Sequence, residues 1–383
     1  MSSAGTIVKK RQILGLDLLR FTAALLVMWY HVVYGSWTFL AHFSHQIGFD
    51  FSSLRELRPY SQFGWIGVEI FFVISGFVIA FTAETSSPPQ FLESRVLRLV
   101  PGVWVCATIA AIFLLALNSP DPVLSLYLRS VSFFPVSPYI SSAYWTLTIE
   151  ICFYAIVLLV LLANKFERLV QVATAIGIVS SVFWSAWLAV NCFSPHSKLA
   201  LVLGRFAFTR IAQLLLIEHG CFFAVGVLLW AVLMKQATRN RIFWIAVFTL
   251  AGVIQIMGEG LRLAMQDLFV PAAIWLSSLV LLVFSVRRND GFASLGRGFA
   301  SWTRKLGLAT YPLYLIHFPL AVWLAGYLHS CGVPWAVALP TTVLATVALA
   351  LAITLYPERM LRTALRRLSS FIGPFWKRVQ QPA

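Results

Sequence analysis

Long apolar runs, separated by short polar and basic segments, dominate this chain. A helix needs about 20 mostly apolar residues to cross a bilayer, and ten runs have roughly that length. The predicted spans are residues 16–36, 63–83, 99–117, 143–162, 169–190, 211–233, 242–257, 265–285, 307–328 and 334–356. The seventh is the shortest and is interrupted by Gln255. The pattern predicts an all-α, polytopic integral membrane protein, a bundle of about ten transmembrane helices.

Composition supports a membrane protein and argues against a nucleic-acid partner. Of the 383 residues, 60% are hydrophobic and 11% are charged, whereas a soluble domain carries about 25% charge. The net charge of +15 comes from basic residues that lie between apolar runs rather than on one face of a soluble domain. With the N-terminus inside, 21 Lys and Arg residues fall in inner segments and 7 in outer ones. Both termini are therefore predicted to be cytoplasmic.

Two regions are expected along the chain. Residues 12–358 form one transmembrane domain, and residues 359–383 form a basic amphipathic tail. That tail alternates basic and apolar residues, which is typical of a helix lying on the anionic inner leaflet, so membrane lipid is a predicted partner. The five cysteines show no metal-ligand spacing, and no metal is expected.

The first span carries two polar residues that are costly inside a membrane. Arg20 and His31 are eleven residues apart, which returns to within about 20° of the same helix face and rises roughly 16 Å. Asp17 lies one turn below Arg20 on that face. Charged residues within membrane helices usually mark a functional pathway. The pair therefore indicates chemistry performed across the bilayer, although Arg20 could also be only a structural partner of Asp17.

Acidic residues of other spans fall at a similar depth to His31. Glu69, Glu150 and Glu218 lie six or seven residues from the outer ends of their spans, roughly 8–11 Å below the outer surface. Intramembrane carboxylates are tolerated where they face a cavity and pair with other groups. We therefore expect a polar chamber in the outer half of the bundle.

Five segments, in this order along the chain, resemble the acyltransferase 3 family of integral-membrane acyltransferases. They are Leu16-Asp17-x-x-Arg20 with His31 after ten intervening residues, Gly67-Val68-Glu69-Ile70-Phe71-Phe72-Val73-Ile74-Ser75-Gly76-Phe77, Arg95-x-x-Arg98 followed by Pro101, Tyr144-Trp145-Thr146-Leu147-x-x-Glu150-x-x-Phe153-Tyr154, and Tyr311-x-x-Tyr314-Leu315-Ile316-His317-x-Pro319. Glu69 stands where many relatives have Asp. The resemblance implies transfer of an acyl group, often acetyl, from cytoplasmic acyl-CoA to a hydroxyl of an extracytoplasmic acceptor, usually a carbohydrate.

Acyl transfer to an alcohol needs a base for the hydroxyl proton, and His31 is assigned that role. A carboxylate would orient the ring, with Glu150 as the first candidate and Glu69 as the second. An acyl-histidine intermediate is the open alternative. Arg20 is grouped with these catalytic residues because it would line the route between the donor and His31.

Arg95 and Arg98 are spaced i, i+3 at the predicted cytoplasmic mouth, and two guanidinium groups on one face suit phosphates. The family's double-arginine motif implies that they contact CoA phosphates, whereas ordinary positive-inside anchoring is the alternative. The predicted substrate-binding residues are Asp17, Glu69, Trp145, Tyr314 and His317. Trp145 could equally belong to an interfacial aromatic belt, and Tyr314 and His317 could only shape the chamber.

The combined interpretation is a membrane O-acyltransferase with acyl-CoA as donor, for which acetyl-CoA is the first candidate. Its acceptor would be a carbohydrate hydroxyl, as in an exopolysaccharide or O-antigen, and its location a bacterial inner membrane. A secondary transporter or glycan exporter that uses the same intramembrane charges is the alternative. Paired inverted repeats would favour the transporter, and the sequence shows none. The sequence carries no information on oligomeric state.

Overall fold

The computed structural model describes residues 13–117 and 121–379, and within them every regular element is a helix. The N-terminal Lys9, Lys10 and Arg11, residue 12 of the predicted domain and the last residues of the predicted tail lie outside the described part. Eleven helices define the architecture. They are α1 Leu14–Trp29, α2 Gly67–Ala83, α3 Pro88–Ala116, α4 Trp145–Leu162, α5 Leu169–Phe193, α6 Gly220–Met234, α7 Arg239–Arg262, α8 Phe269–Arg287, α9 Arg297–Ser330, α10 Trp335–Leu355 and α11 Pro357–Val379.

Nine segments of the described chain are long and apolar enough to cross a membrane. The helix α6 is also apolar but has only 15 residues. The all-α polytopic bundle predicted from the hydropathy pattern is thereby confirmed. Its orientation, with both termini inside, stays a prediction from the distribution of Lys and Arg.

The sixth predicted span, 211–233, differs from the structure. A separate short helix, Arg210–Leu214, precedes α6, and Leu216 between them has a positive φ of 58°. A left-handed residue cannot continue an α-helix, so the chain turns here although its apolar composition continues. The seventh span is longer than predicted, because α7 runs unbroken through Gln255, whose side chain is fully buried.

Close glycine contacts join α2 and α6 at the centre of the bundle. A Cβ atom added at Gly76 would lie 2.3 Å from the backbone oxygen of Phe223, and one added at Gly226 would lie 2.1 Å from that of Val73. Small residues let two membrane helices approach backbone to backbone, where van der Waals packing is the main attraction. This contact fixes the position of α2, which supplies Glu69 and Ser75.

Two departures from regular helix occur near the predicted site. The chain leaves α1 through a π-helical turn, Tyr30–Tyr34, which contains His31; π-turns often occur at functional sites. The helix α9 is broken at Phe318, whose φ of −116° and ψ of 133° are extended. Pro319 follows, and the residue before a proline is biased away from the helical conformation.

Candidate active site

Two adjoining cavities lie between α1, α2, α3, α4 and α9, and they share the residues Arg20, Ser75, Arg98 and Glu150. The first has a volume of about 210 Å³, and a third arginine, Arg95, lines it together with Arg20 and Arg98. The second continues along α4 and α9, where Thr146, Tyr311 and Tyr314 line its wall. We refer to both together as the arginine cavity. Four charged residues that were predicted from the sequence line it. Arg20, Arg95 and Arg98 are basic, and Glu150 is acidic.

Aromatic faces, rather than carboxylates, hold Arg95 and Arg98. The Arg98 guanidinium lies 5.7 Å from the centre of the Tyr311 ring. The Arg95 guanidinium lies 5.3 Å from the Phe91 ring and 5.5 Å from the Tyr154 ring. Neither arginine forms an ion pair with a carboxylate of residues 13–117 and 121–379. Stacking orients a guanidinium group while leaving N–H donors for an anion.

Glu150 is the acidic group of this cavity. Its Oε1 accepts a hydrogen bond of 2.7 Å from the Ser75 hydroxyl and one of 2.6 Å from the Tyr154 hydroxyl. Tyr154 lies four residues further along α4, a spacing that places both side chains on one helix face. Ser75 and Tyr154 are not among the residues predicted from the sequence for the site, although the i, i+4 spacing from Glu150 could have identified Tyr154.

Arg20 and Asp17 occupy different surroundings on α1. Arg20 is half-buried and lines both parts of the arginine cavity. Asp17 lies against α9, where a Cβ added at Gly307 would be 2.6 Å from the Asp17 Cβ. The structure therefore places Arg20 with the other arginines, and Asp17 at a helix contact beside them.

His31 lies outside the set of residues that line the arginine cavity, and it is 9% exposed. Its Nδ1 is 2.8 Å from the Val27 carbonyl oxygen. The predicted pairing of His31 with Glu150 or Glu69 does not form in the described part of the chain. The nearest ring to pair with His31 is instead that of His317, with centroids 4.8 Å apart. The pairing was predicted from the depth of each residue along its span. Depth does not determine the direction in which a side chain points around the helix axis, and this direction separates His31 from the carboxylates.

Tyr314 connects the arginine cavity to the two histidines. Its ring lines the cavity, and its hydroxyl is 2.9 Å from the Thr146 hydroxyl. On the other side, the Tyr314 ring centroid is 6.1 Å from that of His317. A continuous row of side chains therefore leads from the cavity through Tyr314 and His317 to His31.

Glu69 belongs to a separate buried cluster rather than to a chamber shared with Glu150. The His219 ring lies between two carboxylates, with Nδ1 3.8 Å from Glu69 and Nε2 3.4 Å from Glu218. Trp145 borders this cluster, with its ring centroid 5.8 Å from that of His219. The expected single polar chamber is thus divided into a cluster around His219 and the arginine cavity. No group of three or more His, Cys, Asp or Glu residues in the described chain is arranged to hold a metal ion.

Comparisons with known proteins relate this chain to acyltransferases. A family model described as an acyltransferase domain, acyltransferase 3, matches residues 13–356. The exopolysaccharide production protein ExoZ of Rhizobium meliloti (strain 1021) is 32% identical over 117 residues, which cover 28% of this chain and 37% of that protein. The chain therefore matches little more than a third of the length of this curated relative. No solved structure matches.

Proposed function

This chain belongs to the acyltransferase 3 family, and we propose that it is a multi-pass membrane O-acyltransferase that acts on a carbohydrate. The family model covers residues 13–356, which include every residue of the arginine cavity. The similarity to a protein named for exopolysaccharide production supports an acceptor of that class. We assign residues 12–358 to the catalytic membrane domain and residues 359–383 to a basic tail on the lipid surface.

The observation that carries the donor assignment is the convergence of three guanidinium groups on a cavity inside a membrane bundle. Arg20, Arg95 and Arg98 face one carboxylate, Glu150, so the cavity has an excess of positive charge. A partly buried cationic site favours an anionic ligand, and guanidinium forks match phosphate oxygens. The donor is acyl-CoA, specifically acetyl-CoA, with its phosphates at Arg95 and Arg98 and its acyl end directed along Tyr314.

His31 is the general base of the proposed reaction. The Val27 carbonyl can only accept a hydrogen bond, so the neutral ring carries its proton on Nδ1 and offers the Nε2 lone pair. The attacking hydroxyl loses its proton to Nε2 while its oxygen bonds to the acyl carbon. The carbon–sulfur bond of the thioester then breaks and releases CoA.

The acceptor would reach His31 from the outer side of a bacterial inner membrane. This direction rests on the excess of Lys and Arg in the predicted inner segments. Glu69 belongs to the buried cluster around His219 and Trp145 borders it, near the predicted outer ends of their helices, and both are candidates for contact with the acceptor.

The experiment is acyl transfer by the purified protein in lipid nanodiscs, with acetyl-CoA labelled in the acyl group and with exported polysaccharide as acceptor. The label is expected to appear on the polysaccharide, and His31→Gln is expected to abolish transfer. His42→Gln, at an exposed position, is the matched control and should be active. Transport of the polysaccharide without consumption of acetyl-CoA would instead support an exporter. Transfer at the wild-type rate by folded His31→Gln would remove the base assignment.

A further inference from the structure

Two histidines from different parts of the bundle contact each other beside the arginine cavity. His31 lies in the π-helical turn after α1, and His317 lies in α9 directly before the break at Phe318. Their ring planes are inclined by 59° at a centroid distance of 4.8 Å. Neither ring forms an ion pair with a carboxylate in the part of the chain that the structure describes.

Both rings are oriented by the backbone of their own helix. The Nδ1 atom of His31 is 2.8 Å from the Val27 oxygen, and that of His317 is 3.3 Å from the Leu313 oxygen. Because a carbonyl oxygen only accepts, each neutral ring carries its proton on Nδ1 and leaves Nε2 as an acceptor. The Nε2 atom of His317 is buried and has no hydrogen-bond partner among the described residues. A buried acceptor without a partner is uncommon and calls for an explanation.

We infer that His317 is a second proton-transfer residue, which accepts from His31 the proton of the attacking hydroxyl and passes it to the CoA sulfur. This inference rests on the proposed function. When the hydroxyl oxygen bonds to the acyl carbon, its proton moves to Nε2 of His31. From there it moves to Nε2 of His317, and then to the thiolate that forms as the carbon–sulfur bond breaks. One proton leaves the alcohol and one reaches CoA, so no co-reactant and no redox change is needed.

The position of His317 fits this role because its ring lies between His31 and the arginine cavity. Its ring neighbours are His31 on one side and Tyr314, which lines the cavity, on the other. The remaining rings around the pair are those of Tyr30 and Phe39, which contact His31. The titratable groups facing the pair are therefore the two tyrosines and the histidines themselves. Among residues 13–117 and 121–379, no carboxylate forms an ion pair with His31, whereas the His317 imidazole is in contact with it and can receive its proton.

The break in α9 holds His317 at the end of a helical segment. Pro319 has no N–H, so the helix cannot continue its hydrogen-bond ladder through this position. Phe318 is extended, and its ring packs against Phe43 with centroids 5.0 Å apart. Together these features fix the residue that directly precedes the break.

Two substitutions separate proton transfer from a structural role. His317→Asn keeps an amide N–H that can reach the Leu313 oxygen, and His317→Gln keeps a polar atom near the position of Nε2. Neither amide side chain can carry a proton between groups. The matched control is His329→Asn, since His329 lies at the far end of α9, stacks on Trp335 and has an Nδ1 3.1 Å from the Val333 oxygen.

The variants are measured for kcat and KM with acetyl-CoA across pH, after thermal unfolding in detergent has shown that they fold. Both His317 variants are expected to lose at least tenfold in kcat, because acid–base catalysis contributes about 10²–10⁴-fold. Their KM for acetyl-CoA should stay within threefold of wild type, and their pH–rate profiles should lack one ionisation. The control should match wild type. A loss below tenfold in either variant, or an unchanged pH profile, would overturn the inference.

Measurements on the unaltered protein guard against a folding failure of both variants. If both imidazoles must be neutral, a plot of the logarithm of kcat/KM against pH has a limiting slope greater than one on its acid side. A slope of one would contradict the inference. The outcomes also distinguish the two proposals. Absence of transfer by the wild type would refute the proposed function. Loss of transfer in His31→Gln with full activity in both His317 variants would refute the proton-transfer role alone.

Discussion

If Arg95 and Arg98 bind the phosphates of the donor, replacing either one should weaken binding only of donors that contain phosphates. Arg98→Gln and Arg95→Gln remove one guanidinium group each from the arginine cavity and leave a polar side chain. The test compares acetyl-CoA with acetylated N-acetylcysteamine, a short thioester that lacks the nucleotide and all three phosphate groups.

The expected magnitude follows from how the two arginines are held. Each rests on aromatic rings and is half-buried, without an ion pair to a carboxylate of the described chain. A hydrogen bond to a charged group contributes about 1.5–3 kcal/mol, which corresponds to roughly a 10- to 150-fold change in Kd. Because both side chains are partly solvated, we expect the lower end of this range for each variant.

The assay is equilibrium binding of acetyl-CoA to the protein in nanodiscs, together with transfer kinetics for both donors. Either substitution should raise the Kd for acetyl-CoA about tenfold or more, while kcat/KM for the short thioester changes less than threefold. Arg168→Gln is the matched control, because Arg168 is exposed and lies in a predicted inner segment outside the cavity. Equal losses with both donors, or no loss with acetyl-CoA, would refute phosphate binding by these arginines.

Two further predictions concern the packing that supports the site. Gly76→Ala should lower the free energy of unfolding by about 1–3 kcal/mol, and with it the unfolding temperature in detergent, because the added Cβ would lie 2.3 Å from a backbone oxygen of α6. The control is Gly204→Ala, since a Cβ added at Gly204 has nothing within 4 Å. Equal effects of the two substitutions would contradict the contact. Arg210→Ala should lower the free energy of unfolding by about 1–3 kcal/mol, since Arg210 donates a hydrogen bond to the Trp145 backbone oxygen at the start of α4. Arg205 is exposed, so Arg205→Ala should leave the unfolding temperature unchanged. An equal loss of stability in both variants would refute this role of Arg210.

The fold could be predicted from the sequence almost completely, because hydropathy reports directly on which segments can lie in lipid. The exceptions are local. The sixth span fails between Leu214 and Gly220, where five residues that include the left-handed Leu216 separate two helices. The break in α9 at Phe318 has a sequence signal, since Pro319 follows it, but hydropathy averaging over the window does not detect it.

The site could be predicted in part, because spacing along one helix is reliable whereas contacts between helices are not. The i, i+3 spacing of Arg95 and Arg98 places both on the cavity, where Arg20 also lies. The prediction of one chamber for the carboxylates depends on their depth below the outer membrane surface, and depth does not determine the direction in which a side chain points from its helix. Glu150 consequently faces the arginines, and Glu69 faces His219.

The separation of the acids from His31 changes the chemistry that the site requires. In a triad, a carboxylate stabilises the protonated histidine until the leaving group takes the proton. His31 has aromatic neighbours and a backbone oxygen instead, which cannot neutralise a buried positive charge. In the proposed reaction the proton therefore leaves this ring for His317, whose ring is in contact with it. Glu150 accepts two hydrogen bonds in the arginine cavity, and in the proposed reaction the proton path runs through the two imidazoles rather than through this carboxylate.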